Sequence, residues 1–172
     1  VLLASVLHYR KDVRVAVVDC DSPQHSIALM RERDMESVMK NDDLKVSLYR
    51  QHERIRKPAY PVIKSDPEKG VEDLRRYMDE KGETFDIVLF DLPGTLRSEG
   101  VVHTVAAMDY IFVPLKADNI VMQSSLQFTK VLEEELIAKG NCNLKGIRLF
   151  WNMVDRRGRK NLYDAWNRVI HR

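Results

Sequence analysis

Apolar residues in this chain come in short blocks whose spacing switches between two periods. Val13–Asp19 (VRVAVVD) is an apolar, β-branched run of the kind that forms a strand buried on both faces. Asp86–Asp91 (DIVLFD) reads as a second buried strand, and Tyr110–Leu115 and Lys145–Trp151 as two more. Tyr60–Lys64 (YPVIK) is a short strand with Pro61 at its start, where a missing N–H does least harm. Between these runs the period lengthens to that of a helix. Val1–Arg10 sets Leu2, Leu3, Val6 and Leu7 on one side. Ile27 to about Lys57 is helix-rich and highly charged, with Asn41-Asp42-Asp43 interrupting it and capping a second helix at Leu44. Ser65-Asp66-Pro67 predicts a helix start, Val71, Leu74 and Met78 its inner stripe, and Gly82 its end. Further helices are predicted over Ser98–Met108 and from about Asp118 to Lys139, the latter closed by Gly140. Asn161–His171 is amphipathic, with Leu162, Tyr163, Trp166, Val169 and Ile170 on one face.

Strands alternating with helices predict an α/β fold: three layers, a mostly parallel twisted sheet with helices on both faces. A length of 172 residues fits one domain spanning 1–172. No cap precedes Val1 and the chain stops inside its last helix. The expectation is therefore of a domain truncated at its N-terminus, and at its C-terminus as well.

Composition narrows the class. The hydrophobic fraction of 44% is ordinary for a globular protein, and no apolar run reaches the ~18 residues of a membrane span. The opening VLLASVLHYR is no signal peptide, being too short with its basic residues on the wrong side. Two cysteines, Cys20 and Cys142, form no disulfide framework, and a reducing cytoplasm is the simplest reading. The net charge of +2 gives no global field for nucleic acid, but the charge is uneven. Arg50–Lys57 is basic, as are Arg156, Arg157, Arg159 and Lys160 with Arg168, His171 and Arg172 beyond. Such runs are either a solvated face or a local phosphate-contacting patch.

The candidate chemistry lies where strands end. In an open parallel sheet, ligands bind beyond the carboxyl ends of the strands. Asp19, Asp21, Asp91 and Asn152 all fall at such ends and are predicted to converge on one rim. An apolar strand ending in a carboxylate suits hydrated Mg²⁺, which makes Asp91 the candidate metal residue. The turn Leu92-Pro93-Gly94 follows, and Gly94 lets a backbone N–H approach a phosphate without a Cβ in the way. Asp19 and Asp21, one residue apart, repel each other without a cation. Asp21 is the candidate for positioning an attacking water, and Asp19 for shaping the surroundings of the metal. Asn152 can donate to and accept from a base edge, or simply close a local turn. Trp151 reads as core. Cys20 reads as inert, because nothing basic beside it lowers its pKa. None of the seven glycines opens a G-x-x-x-x-G-K-[ST] run. The phosphate cradle and its strand are expected upstream of Val1, with Val1–Arg10 as the rest of the helix that the cradle opens.

The segments VRVAVVDCDSPQHS, FDIVLFDLPG, MDYIFVPLKADNIVMQSSLQF and IRLFWNMVDRR resemble, in that order, those of the ParA/MinD group of P-loop ATPases with a deviant Walker A motif. The first is similar to the D-x-D-P-Q switch I signature with one residue, Ser22, inserted before the proline. The second resembles the Walker B and switch II segment. The phrasing is closest to the ParA-like TraA proteins of conjugative transposons. The resemblance implies ATP and Mg²⁺ as cofactors and ATP-dependent homodimerisation coupled to DNA partition or transfer of a mobile element. It also implies a partner protein that stimulates hydrolysis. It gives Asp21 the switch I role in hydrolysis, Asp91 the magnesium role, and Asn152 a base contact. It leaves Arg156, Arg157, Arg159 and Lys160 for non-specific DNA contact. Two other readings compete. In a phospho-acceptor receiver domain, Asp19 and Asp21 would be the acid pair, Asp91 the acceptor and Lys116 the lysine after a later strand. The spacing argues against it: 70 residues separate Asp21 from Asp91 (91 − 21) and only 25 separate Asp91 from Lys116 (116 − 91). The third reading is a non-catalytic scaffold that kept the fold and lost the nucleotide.

Overall fold

The computed structural model describes residues 1–93, 99–138, 140, 142–154, 163, 164 and 166–168. The elements run α1 (Leu2–Arg10), β1 (Val15–Asp19), α2 (Ser26–Lys40), α3 (Asp42–Ile55), β2 (Val62–Lys64), α4 (Gly70–Lys81) and β3 (Ile87–Asp91). They continue with α5 (Glu99–Ala106), β4 (Tyr110–Leu115), α6 (Asn119–Leu132), a π-helical turn over Glu133–Ile137, and β5 (Gly146–Trp151). This is an α/β fold with parallel sheets flanked by helices, of the P-loop NTPase-like kind. The chain divides into two compact units, Val1–Thr104 and Val105–Arg172. Among the described residues no helix is long and apolar enough to cross a membrane.

In the first unit three parallel strands lie in the order β2-β1-β3. β1 is central and all five of its residues are buried. Its alternating side chains explain this. Val15 and Val17 pack with Ala4, Tyr60, Leu7 and Leu89, while Ala16, Val18 and, just beyond the strand, Cys20 are buried as well. Fully burying each valine is worth roughly 1.5–3 kcal/mol, so β1 anchors the unit. On the Cys20 side α4 begins at Gly70, where an added Cβ would sit 2.8 Å from Cys20 Sγ and 3.2 Å from Phe90. The close approach of helix to strand requires glycine at that position.

Several expectations shift. β3 is half-buried rather than buried, because it lies at one edge of the described three-stranded sheet. β2 shrinks to three residues: the carbonyl of Pro61 still accepts from Val17 N–H (3.0 Å), but pairing by Cα partners starts at Val62. Asp66–Lys69 forms a turn, closed by Lys69 N–H donating to the Asp66 carbonyl (3.0 Å), so α4 starts at Gly70 and not at Pro67. α1 seats Ala4 and His8 inward, leaving Leu2, Leu3 and Val6 exposed. The His8 Nε2–H donates to the Pro58 carbonyl (2.9 Å), and its ring meets Tyr60 edge-on. Other punctuation is where the sequence puts it. Asn41 Oδ1 accepts from the N–H groups of Asp43 and Leu44, and Gly82 ends α4 with φ 62°.

The second unit pairs β4 and β5 in parallel, from Tyr110↔Gly146 to Leu115↔Trp151. Val113, Leu115 and Met122 form its core, with Ile147, Leu149 and Trp151 against them. Trp151 is thus a core residue. α6 starts at an Asp118 cap that accepts from Ile120 and Val121 N–H.

Candidate functional site

The carboxyl edge of the first sheet is set by strand register. Asp19 pairs with Asp91 across β1 and β3, and with Lys64 across β1 and β2. Lys64, Asp19 and Asp91 therefore form one row, although 72 residues separate the two acids (91 − 19). Cys20 N–H donates to the Asp91 carbonyl (2.9 Å) and Ser65 N–H to the Asp19 carbonyl (3.0 Å), which continues the pairing past the strand ends. Register makes this meeting obligatory, because a slip of one residue turns every side chain to the other face.

Asp19 is fully buried. Its Oδ2 accepts from the backbone N–H groups of Ile27 (3.0 Å) and Ala28 (2.8 Å), the first turn of α2. Its Oδ1 accepts a longer bond from Asp21 N–H (3.4 Å). The residue at the start of α2, His25, makes no side-chain cap and has φ 41°. Asp19 supplies that cap from the neighbouring strand, placing a negative charge at the positive end of the helix. The His25 Nδ1 lies 3.2 Å from the Asp19 carbonyl oxygen. A carbonyl only accepts, so the ring carries its proton on Nδ1. The loop Cys20–His25 is pinned at both ends by one carboxylate and one carbonyl, and contains the cis Ser22–Pro23 peptide.

Asp91 is different. Its carboxylate is half-buried and takes no hydrogen bond among the described residues. Burial, then the charges of Asp19 and Asp21, push its pKa above the usual carboxylate range. Asp21 is partly exposed in the loop, held through its backbone, and its carboxylate is free among the described residues. Burial and the surrounding carboxylates Asp19, Asp73, Asp91 and Asp66 push the Cys20 thiol up to about 12, which leaves it unreactive. No group of three His, Cys, Asp or Glu residues forms a metal cage among the described residues. Mg²⁺ does not ask for one, since it keeps several waters and binds through one or two carboxylates plus phosphate oxygens. An unpaired half-buried carboxylate beside two further acids is a donor set of that kind.

Two features were not legible in the sequence. One is the capping duty of Asp19, whose partners are backbone N–H groups eight and nine residues on. The other is a shallow pocket of about 330 Å³ beside the edge, lined by His25, Lys64, Ser65, Asp66, Lys69, Asp73 and Arg76. No local motif announces it, because its lining joins the residue before α2 to β2, the turn after it and α4.

The remaining expected site residues are placed as follows. Pro93 is half-buried two residues after the end of β3, and Gly94 lies outside the described residues. Asn152 belongs to the second unit, at the end of β5. Its Oδ1 accepts from Met153 N–H (2.9 Å), and its own N–H donates to the Leu115 carbonyl (2.7 Å), which carries the β4–β5 pairing one residue past the strand end. Lys116 follows β4 in the same unit. Arg156, Arg157, Arg159 and Lys160 lie outside the described residues.

Comparison with known proteins adds one positive finding. The family model described as ATPase MipZ matches residues 1–127, which include α1, both acid-ended strands and the loop between Asp19 and α2. No curated protein and no solved structure matches.

Proposed function

Since the chain belongs to the ATPase MipZ family, we propose that it is a ParA-like nucleotide switch in which ATP joins two protomers and hydrolysis releases them. The observation that carries this reading is the register pairing of Asp19 with Asp91, which collects three acids on one sheet edge and leaves the carboxylates of two, Asp21 and Asp91, without a partner among the described residues. Asp91 would hold a hydrated Mg²⁺, whose charge offsets that of the phosphates and of the acid cluster. Asp21, on its pinned loop, would orient the attacking water and accept its proton. Asp19 would keep that loop and the start of α2 in place. Pro93 and Gly94 would flank the terminal phosphate and Asn152 would meet the base.

The finer assignment, to DNA partition or transfer of a mobile element in the manner of the TraA proteins, rests on sequence resemblance. In that role Arg156, Arg157, Arg159 and Lys160 would touch DNA backbone, a partner protein would stimulate turnover, and the protein would work in the cytoplasm. The test is Mg²⁺-dependent ATP turnover by the protein expressed from its complete reading frame, alongside Asp21→Ala and Asp91→Asn. We expect Asp21→Ala to keep ATP binding and lose turnover by about 10²-fold or more, and Asp91→Asn to lose the Mg²⁺ dependence of binding. Turnover of Asp21→Ala equal to that of the parent refutes the role given to Asp21.

A further inference from the structure

α2 and α3 form a helical arm that exposes apolar residues on both helices. α3 buries no residue along its 14 positions: Leu44 and Leu48 share one side, and Val46 and Tyr49, 48% and 66% exposed, lie on the other. Leu44 and Leu48, one turn apart, are 42% and 43% exposed, and Met35 and Met39 on α2 are 51% and 64% exposed. The methionines line a shallow groove of about 560 Å³ together with Arg31, Glu32, Glu36 and Lys40 of the same helix. Exposed apolar residues at (i, i+4) on both helices of one arm are more than the scattered single residues of an ordinary surface.

Charge names the occupant. Asp43 stands at the start of α3, and Arg50 and Arg54 stand in its second half. They follow Asp43 by seven and eleven residues, so at 3.6 residues per turn all three lie on one flank of the leucine stripe. None of the three has an ion-pair partner among the described residues, whereas Asp42 is engaged by Lys45 (2.8 Å). The sense of this distribution suits the helix macrodipole. The macrodipole accounts for neither the shared flank nor the bare leucines. Two α3 helices laid antiparallel about a two-fold axis near Ser47 and Leu48 set Asp43 of each against Arg50 and Arg54 of the other. The same operation buries Leu44 and Leu48 of both. Self-complementarity of this type is what a two-fold interface demands.

We infer that the α2–α3 arm is a homotypic docking surface, through which two copies of this chain associate without nucleotide. The inference stands apart from the nucleotide reading. α3 is about 21 Å long and about 10 Å across, so the contact falls below the ~800 Å² per partner of stable complexes. The dimer is therefore concentration-dependent and exchanging.

The test is sedimentation velocity of the nucleotide-free protein from about 1 μM to about 1 mM, the range in which weak dimers form. We expect a monomer–dimer equilibrium. Arg50→Glu/Arg54→Glu and, separately, Asp43→Lys should each weaken it by about tenfold or more. Mixing the two variants should restore association as a heterodimer, and far-UV circular dichroism should show unchanged helix in both. A parent protein that stays monomeric throughout overturns the inference. So does a dimer indifferent to both variants, or a mixture that fails to recover. Amides of α3 that gain exchange protection only when a different protein is added would assign the face to that protein and also overturn it.

Discussion

Replacing Asp19 separates a structural carboxylate from its chemical neighbours. The side chain is buried and holds two N–H groups of α2 at 2.8 and 3.0 Å. Hydrogen bonds to a charged group contribute roughly 1.5–3 kcal/mol each. Asp19→Ala deletes both and strands the N–H of Ala28, a buried residue, while that of half-buried Ile27 is partly reached by water. The expected loss is about 3–4 kcal/mol, a large part of a typical ~5–15 kcal/mol stability. Asp19→Asn keeps an oxygen for the two donors but removes the charge facing the helix end, worth up to ~2 kcal/mol in a partly buried setting. Its NH2 also turns toward the Asp21 N–H that Oδ1 now accepts. About 1–2 kcal/mol is expected for it. Asp21→Ala, which deletes no side-chain bond among the described residues, should stay within about 0.5 kcal/mol. Urea unfolding followed by far-UV circular dichroism gives the three values, and hydrogen exchange at Ile27 and Ala28 locates the effect. An Asp19→Asn protein as stable as the parent, with unchanged exchange at those two amides, would falsify the capping argument.

Other outcomes follow from the same edge. The folded-state pKa of Asp91 is raised, so the folded protein binds more protons than the unfolded chain between the ordinary carboxylate pKa and the raised one, and stability falls as pH rises through that window. Asp91→Asn should therefore melt higher than the parent at pH 7 without divalent ions, with the gap closing below about pH 4; an equal gap at both pH values refutes the assignment. Gly70→Ala should cost about 1–3 kcal/mol through overpacking against Cys20 Sγ and Phe90, and Cys20→Ala should relieve part of it; additive losses in the double variant count against the contact. With its thiol pushed up to about 12, Cys20 should resist iodoacetamide at pH 8 in the folded protein, and Cys142, which is only half-buried, should be alkylated first.

Strands and their ends were readable because burial and punctuation are local. VRVAVVD is apolar over Val15–Val18, the buried positions of β1 that precede Asp19, and Asn41-Asp42-Asp43 caps α3 through atoms two and three residues away. β3 was read as buried because DIVLFD is apolar, but apolarity does not tell a strand at an edge from one in the middle. α1 misled for a related reason: periodicity marks the leucines, yet the contact is made by small Ala4 and by His8, whose ring hydrogen-bonds the Pro58 carbonyl. At the site, the presence of Asp91 and Asp19 at strand ends was legible, and their division of labour was not. Nothing in an aspartate announces that it accepts from two backbone amides, while its neighbour in register accepts from none among the described residues. The row from Lys64 through Asp19 to Asp91 depends on how β2 is aligned, which no short motif encodes.

The shared alignment of β1 with both neighbours has an outcome for insertions and deletions. Adding one residue within Val15–Asp19 would invert which of its side chains look toward α1 and Tyr60, and would also pull Asp19 out of line with Asp91 and away from α2. Adding one between Glu83 and Thr84, both exposed beyond the end of α4, would lengthen a surface connection and disturb neither. Length variation among descendants of this gene should accordingly collect after α4 and be absent from the central strand.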